Sequence, residues 1–195
     1  MHQTEATLEI WDMSLAKSGA KIIYQRMKYI EALTPYLKDI FKGLSGGSEE
    51  IELKYIGATE FTYDINDIEN KLYDTLRTHI KTDIINHTTT KGPHRDDIEI
   101  LINSKSVKLY GSQGQQRSCV LAMKLAEASL LKEKTGIEPV ALLDDVMSEL
   151  DEKRQDYILN HIKNLQVFIT CCDKETILRL KKGKTFHIEN GKIVP

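Results

Sequence analysis

The 195 residues carry 27 basic and 29 acidic side chains, a formal net charge of −2, and 41% hydrophobic residues. This balance excludes a wholly basic nucleic-acid coat and describes a globular chain with material for one sizeable core or two small ones. No apolar run approaches the about 18 residues that span a bilayer. "MHQTEATLEI" holds no apolar signal core, and the odd set Cys119, Cys171 and Cys172 reads as reduced thiols, so a cytoplasmic protein without membrane contact is expected.

Residues 1–44 read as helix, because Ile23, Met27, Ile30, Leu33, Leu37, Ile40 and Leu44 advance by three and four along one stripe. Pro35 is expected to bend or restart that helix, with Thr34 capping the second piece. "GLSGGS" (43–48) supplies the stop, and "IELKYIG" (51–57) alternates like a half-buried strand. Ile65, Ile68, Leu72, Leu76 and Ile80 mark a second amphipathic helix. Residues 1–91 therefore read as a mainly helical arm with a little sheet.

The grammar changes at "KGPHRDD" (91–97), where Gly-Pro punctuates the chain. "IEILI" (98–102) and "VKLY" (107–110) read as strands about the turn "NSKS". The helix 113–135 shows Ala122, Ala126 and Ser129 on one face, suited to lying on a sheet. "PVALLDD" (139–145) has the near-continuous apolar run of a buried parallel strand. A helix over 152–164, the strand "QVFIT" (166–170), a short helix around 174–181 and a hairpin about Asn190-Gly191 follow. Alternation of this kind predicts an α/β layer for residues 92–195.

Two stretches carry the chemistry. A strand ending in Asp144-Asp145 delivers two carboxylates to the sheet edge where α/β proteins bind ligands. One can hold Mg²⁺ through water while its neighbour orients or deprotonates an attacking water; the plain alternative is two solvated carboxylates. "YGSQGQQRS" (110–118) places Ser112 and Gly114 at a helix start, where unpaired amides and the dipole favour an anion. On its residues alone it is equally a serine N-cap with glycine in the first turn. In "GPHRDD", either Gly-Pro turns the chain and Arg95 pairs with a carboxylate, or His94 and Arg95 lie near a ligand or the arm–head joint. Lys163, Lys174, Arg179, Lys181, Lys182, Lys184 and Lys192 make the tail locally basic, a region suited to phosphates or simply a solvated helix end.

Taken in order, "GPHRDD", "SQGQQRS" and "LLDDVMSELD" resemble the RecF family of bacterial recombination and repair proteins, and "WDMSLAKSGAKII" (11–23) resembles the stretch entering that family's arm. The resemblance implies part of an ABC-type ATPase head, the C-terminal lobe over 92–195, with a helical arm over 1–91. It implies ATP and Mg²⁺ as cofactors and an ATP-dependent homodimer in which one protomer's signature motif faces the other's nucleotide. Residue by residue, Ser112, Gln113, Gly114 and Gln115 would contact the partner's γ-phosphate and Asp144 would support Mg²⁺ through water. Asp145 would stand where most such heads have a catalytic glutamate, one methylene short, which slows turnover. Ser148 and Asp151 would form the D-loop, and Thr170 the switch position, lacking the histidine of many relatives. No G-x-x-x-x-G-K-[ST] occurs in the chain, so the resemblance is to roughly the C-terminal half, and the chain alone is expected neither to bind ATP tightly nor to hydrolyse it. Implied partners are duplex or gapped DNA and RecR, with RecO and RecA further along.

The decoy "LSGGS" (44–48) matches a transporter-type signature in letters, but it ends a helix instead of opening one, and Glu49-Glu50 would repel a phosphate. Rival readings are another SMC-like repair head such as RecN, a transporter ATPase domain, and a nucleotide-independent interaction module. Sustained heptads and a signature-opening "LSGGQ", which the first two would require, are not seen.

Overall fold

The computed structural model describes residues 2–146, 150–162, 166–172 and 183–194, with residues 2–6 and 161 in backbone alone. The first apolar stripe forms one helix, α1 (His2–Leu44), unbroken through Pro35. Thr34 does not cap a second piece; its hydroxyl donates to the Ile30 carbonyl at 2.6 Å. Proline costs only the bond to the Glu31 carbonyl, on an exposed residue where water substitutes, while Leu33, Leu37 and Ile40 hold the helix by burial. The stop falls where expected. Gly46 and Gly47 take φ of 63° and 78°, and the Gly47 amide donates to the Lys42 carbonyl at 2.8 Å, a Schellman ending.

Two hydrophobic clusters divide α1 between them. Its first half, with Ala16, Ala20 and Ile23, packs on Ile68, Leu72 and Leu76 of α2 (Ile65–Asn86). Its second half, with Leu33, Leu37, Ile40 and Phe41, packs on Leu121, Ala122, Leu125 and Ala126 of a later helix, Gln113–Thr135. The small residues of that later helix thus bring it against α1, where the pattern suggested a sheet.

Between the helices, β1 (Ile51–Ile56) pairs antiparallel with β2 (Asp97–Ile102), Ile51 opposite Ile102. The turn is Asn103-Ser104, both at positive φ, and β3 (Lys105–Ser106) follows. "VKLY" is not a strand but a single helical turn, α3 (Val107–Tyr110), closed by the Gly111 amide on the Val107 carbonyl at 3.0 Å. Four residues cannot separate a period of two from one helical turn. The helix 113–135 is α4.

"ALLD" forms β4 (Ala141–Asp144), parallel to β5 (Val167–Thr170) across α5 (Glu152–His161), with Asp144 opposite Thr170. The expected burial on both faces is absent here: Leu142 and Phe168, paired in register, are 74% and 57% exposed. The chain closes with β6 (His187–Glu189) and β7 (Lys192–Val194) about Asn190-Gly191 at φ of 50° and 75°. The expected helix around 174–181 and the end of the one over 152–164 fall outside the described residues, as do Ser148, Lys163, Lys174, Arg179, Lys181 and Lys182. Among the described residues, no helix is long and apolar enough to cross a membrane.

One glycine fixes how α5 meets α1. A β-carbon on Gly43 would lie 2.0 Å from the Tyr157 ring. Gly43→Ala is therefore expected to destabilise the fold by about 1–2 kcal/mol, the overpacking cost outweighing the roughly 1 kcal/mol helix-propensity gain of alanine. Urea unfolding checks it; a variant at least as stable as wild type would refute the contact.

Candidate functional site

The acidic pair is organised by β5. The Thr170 hydroxyl donates to Asp144 Oδ1 at 2.5 Å, and its oxygen accepts the Asp145 amide at 3.0 Å. The same amide lies 3.2 Å from the Thr170 carbonyl. One threonine thus braces both members of the pair. Asp145 stands at φ 51°, where the chain leaves the strand in left-handed conformation. Both carboxylates are exposed.

These groups fit the role of a Mg²⁺ support in one specific way. Among the described residues no group of three His, Cys, Asp or Glu side chains is placed to hold a metal. A single aspartate with one oxygen engaged by threonine suits a hydrated ion held mostly by phosphates. The chain's own contribution is then to hold Asp144 still and leave its second oxygen for water.

The second cluster opens α4. Ser112 is its N-cap, in a full capping box: Ser112 Oγ accepts the Gln115 amide at 3.2 Å, and Gln115 Oε1 accepts the Ser112 amide at 2.8 Å. The helix-cap reading of this stretch is therefore realised. It leaves the Ser112 hydroxyl hydrogen available, because the cap uses the oxygen only as acceptor. Gln113 and Gly114 occupy the first turn, which carries no acidic residue. The Ser118 hydroxyl donates to the Gly114 carbonyl at 2.7 Å, fixing that turn from below.

Two neighbours of this turn were not singled out in the sequence. Glu49, from the decoy loop, accepts Gln115 Nε2 at 2.6 Å. Arg154 of α5 places Nη1 3.1 Å from where a Gly114 β-carbon would stand, and the same nitrogen lies 3.2 Å from Asp151 Oδ2. Asp151, the expected D-loop residue, is the N-cap of α5 and accepts the Arg154 amide at 3.0 Å. The contact of Glu49, 66 residues away in sequence, leaves no local signal. The Asp151-to-Arg154 spacing does leave one, as a cap with an i,i+3 ion pair.

"GPHRDD" turns the chain between α2 and β2. Gly92 and Pro93 are buried, Pro93 against Gly19, and the Pro93 carbonyl accepts Arg26 Nη1. Asp96 accepts the Tyr55 hydroxyl at 2.5 Å, and burial pushes its carboxyl above the usual range. The Arg95 amide donates to the Gly92 carbonyl at 2.8 Å and His94 Nε2 lies 3.0 Å from the Thr89 carbonyl, while the Arg95 side chain is exposed, so both residues help to close this loop. Of the basic tail, Lys184 lies over the Phe186 ring at 4.9 Å and Lys192 is exposed. Cys119, on the buried face of α4, is pushed up to about 12, by burial first and then by Glu49, so it stays a thiol.

A parallel strand ending in a braced acidic pair and a serine-capped helix with glycine at its second position sit in a mixed α/β fold beside a long helical layer, the fold class of part of an ABC-type head. No protein-family profile matches the chain. Its sequence is 45% identical over 191 residues to a DNA replication and repair protein RecF of Clostridium perfringens, covering 97% of this chain and 52% of that protein. A RecF of Clostridium novyi is 47% identical over 167 residues, covering 86% and 45%. The solved recombination mediator protein RecF-ATPrS of the RecFOR pathway superposes with a TM-score of 0.82 at 38% identity, covering 97% of this chain and 50% of that one. A RecF-ATP structure of the same pathway gives 0.76 at 39% identity, covering 87% and 46%. Along the matched residues the chain is RecF-like in sequence and in fold. It spans about half the length of the relatives it matches.

Proposed function

We propose that this chain supplies the signature-type and Walker B portions of a RecF-like ATPase that acts in recombinational repair. The observation that carries the reading is the pairing of two prepared edges in a RecF-like fold: α4 opening on a capped serine and glycine, and β4 ending in a carboxylate pair braced by Thr170. In this reading ATP lies between two protomers. Ser112, Gln113, Gly114 and Gln115 face the partner's γ-phosphate through hydroxyl, side chain and amide, and the positive end of α4 favours the charge. Asp144 supports Mg²⁺, Asp145 orients water, and Asp151 lines the junction.

Residues 1–91 act as the arm and 92–195 as the head portion. Duplex or gapped DNA is the proposed substrate surface, with RecR, then RecO and RecA, as partners. On α1, Lys17 and Lys21 are exposed cations able to meet phosphates, whereas Lys28 is paired with Glu31 and Arg26 is bonded to the Pro93 carbonyl. The complete polypeptide should dimerise on adding ATP, as light scattering reads; a protein that stays monomeric at saturating ATP refutes the reading.

By itself the 195-residue chain is expected to act as an interaction module without nucleotide. Titration calorimetry of Mg-ATP into it should give no heat beyond dilution, because two phosphate-facing edges without a cradling loop leave most of the triphosphate in water. Micromolar binding would overturn that statement.

A further inference from the structure

We propose that Arg154 is a positioning residue for the composite nucleotide site, tying the start of α5 to the start of α4 so that Gly114 and Asp151 move as one body. The proposal rests on the composite-site reading and adds a residue to it.

Three observations carry it. First, Asp151 grips Arg154 at both ends, taking its backbone amide on Oδ1 at 3.0 Å and its Nη1 on Oδ2 at 3.2 Å. The guanidinium is thereby held in one place, and its side chain is only 23% exposed. Second, that held nitrogen fills the space a side chain on Gly114 would need, its distance to the absent β-carbon being 3.1 Å. A side chain at 114 would press on the guanidinium and displace it by a few tenths of an ångström, so glycine here serves a contact inside the chain. Third, the guanidinium lies where the starts of two helices meet. Arg154 lies in the first turn of α5 and beside the first turn of α4, so it meets the positive ends of two helices. Among the described residues Asp151 pairs with it directly, Glu152 lies in the first turn of α5, and Glu49 reaches Gln115 at the start of α4, a turn that holds no acidic residue of its own. An anion standing before α4 would meet this cation as well as the positive end of the helix. Its position then couples that anion to Asp151 at the start of α5.

The test uses the complete polypeptide with four variants: Arg154→Gln, Arg154→Lys, Gly114→Ala and the double variant Gly114→Ala/Arg154→Gln. Steady-state hydrolysis, ATP-driven dimerisation and thermal melting are read for each. Arg154→Gln should lower kcat about tenfold and leave the KM for ATP within about twofold, since the residue orients a surface used only in the assembled site. Arg154→Lys should recover part of that loss by restoring the charge. Melting of Arg154→Gln should be unchanged or higher, which a merely structural strut would not give. The double variant should be no worse than Gly114→Ala alone, because both changes break one contact. Wild-type kcat in Arg154→Gln, losses that multiply in the double variant, or a parallel loss of melting temperature and activity would each overturn the proposal. Ser112→Arg is the control for the underlying reading. If it too leaves dimerisation and hydrolysis intact, the composite site itself has failed. If it abolishes them while Arg154→Gln stays wild type, only the role of Arg154 falls.

Discussion

Replacing Ser112 with arginine in the complete polypeptide is expected to lower DNA-stimulated ATP hydrolysis by about 100-fold, the scale of losing a prepared anion-binding donor. The fold should survive. Ser112 is exposed, and its cap on Gln115 is one hydrogen bond worth about 1 kcal/mol. Each protomer's own carboxylates sit on β4, braced from β5, so they do not depend on residue 112. ATP binding by a single protomer should therefore stay within about twofold while assembly fails, the pattern of a group used only in the assembled state. Mixing sharpens the result. Combining Ser112→Arg with Asp145→Asn protomers should restore measurable hydrolysis, because a mixed dimer meets the arginine at one site only and keeps the other intact. Hydrolysis unchanged by Ser112→Arg, or no recovery on mixing, would leave Ser112 as a helix cap and nothing more.

How much of this was legible in the sequence depends on the range over which each feature is determined. The stripes of α1 and α2, the glycine stop at 46–47 and the Ser112 cap are set by residues within a turn or two, and the periodic pattern exposes them. Pro35 misled because the local cost of a proline was weighed without the burial of Leu33, Leu37 and Ile40 that outweighs it. "VKLY" misled because four residues carry too little period. The site shows the same division. Asp144, Asp145, Ser112 and Gly114 stand out by type and position, whereas the Glu49 contact to Gln115 and the Arg154 approach to Gly114 exist only after α1, α4 and α5 have packed. Thr170 carries no local sign of a brace; that work comes from the parallel register that sets it opposite Asp144.

That register also explains the aspartate at 145, and with it the second large expected effect. The residue stands at φ 51°, a left-handed conformation in which Asp and Asn are several-fold enriched over longer side chains. A glutamate would reach farther toward a water but is less at ease in this turn, so the short carboxylate is the one the backbone accepts. Asp145→Asn should keep the backbone and both bonds from its amide to Thr170, removing charge and basicity alone. Hydrolysis should then fall by about 100- to 1,000-fold, the range for losing a positioned base, with ATP-driven dimerisation retained. Asp145→Glu should fold less stably and turn over no faster than wild type, because the added methylene is gained at the cost of strain in the turn. Thr170→Val, which keeps the shape of the brace and removes its hydroxyl, should lower turnover in the same direction by a smaller factor, and Thr170→Ser should restore it. Should Asp145→Asn hydrolyse ATP at the wild-type rate, the pair on β4 serves only as a support for the ion, and the water must be oriented from elsewhere in the dimer.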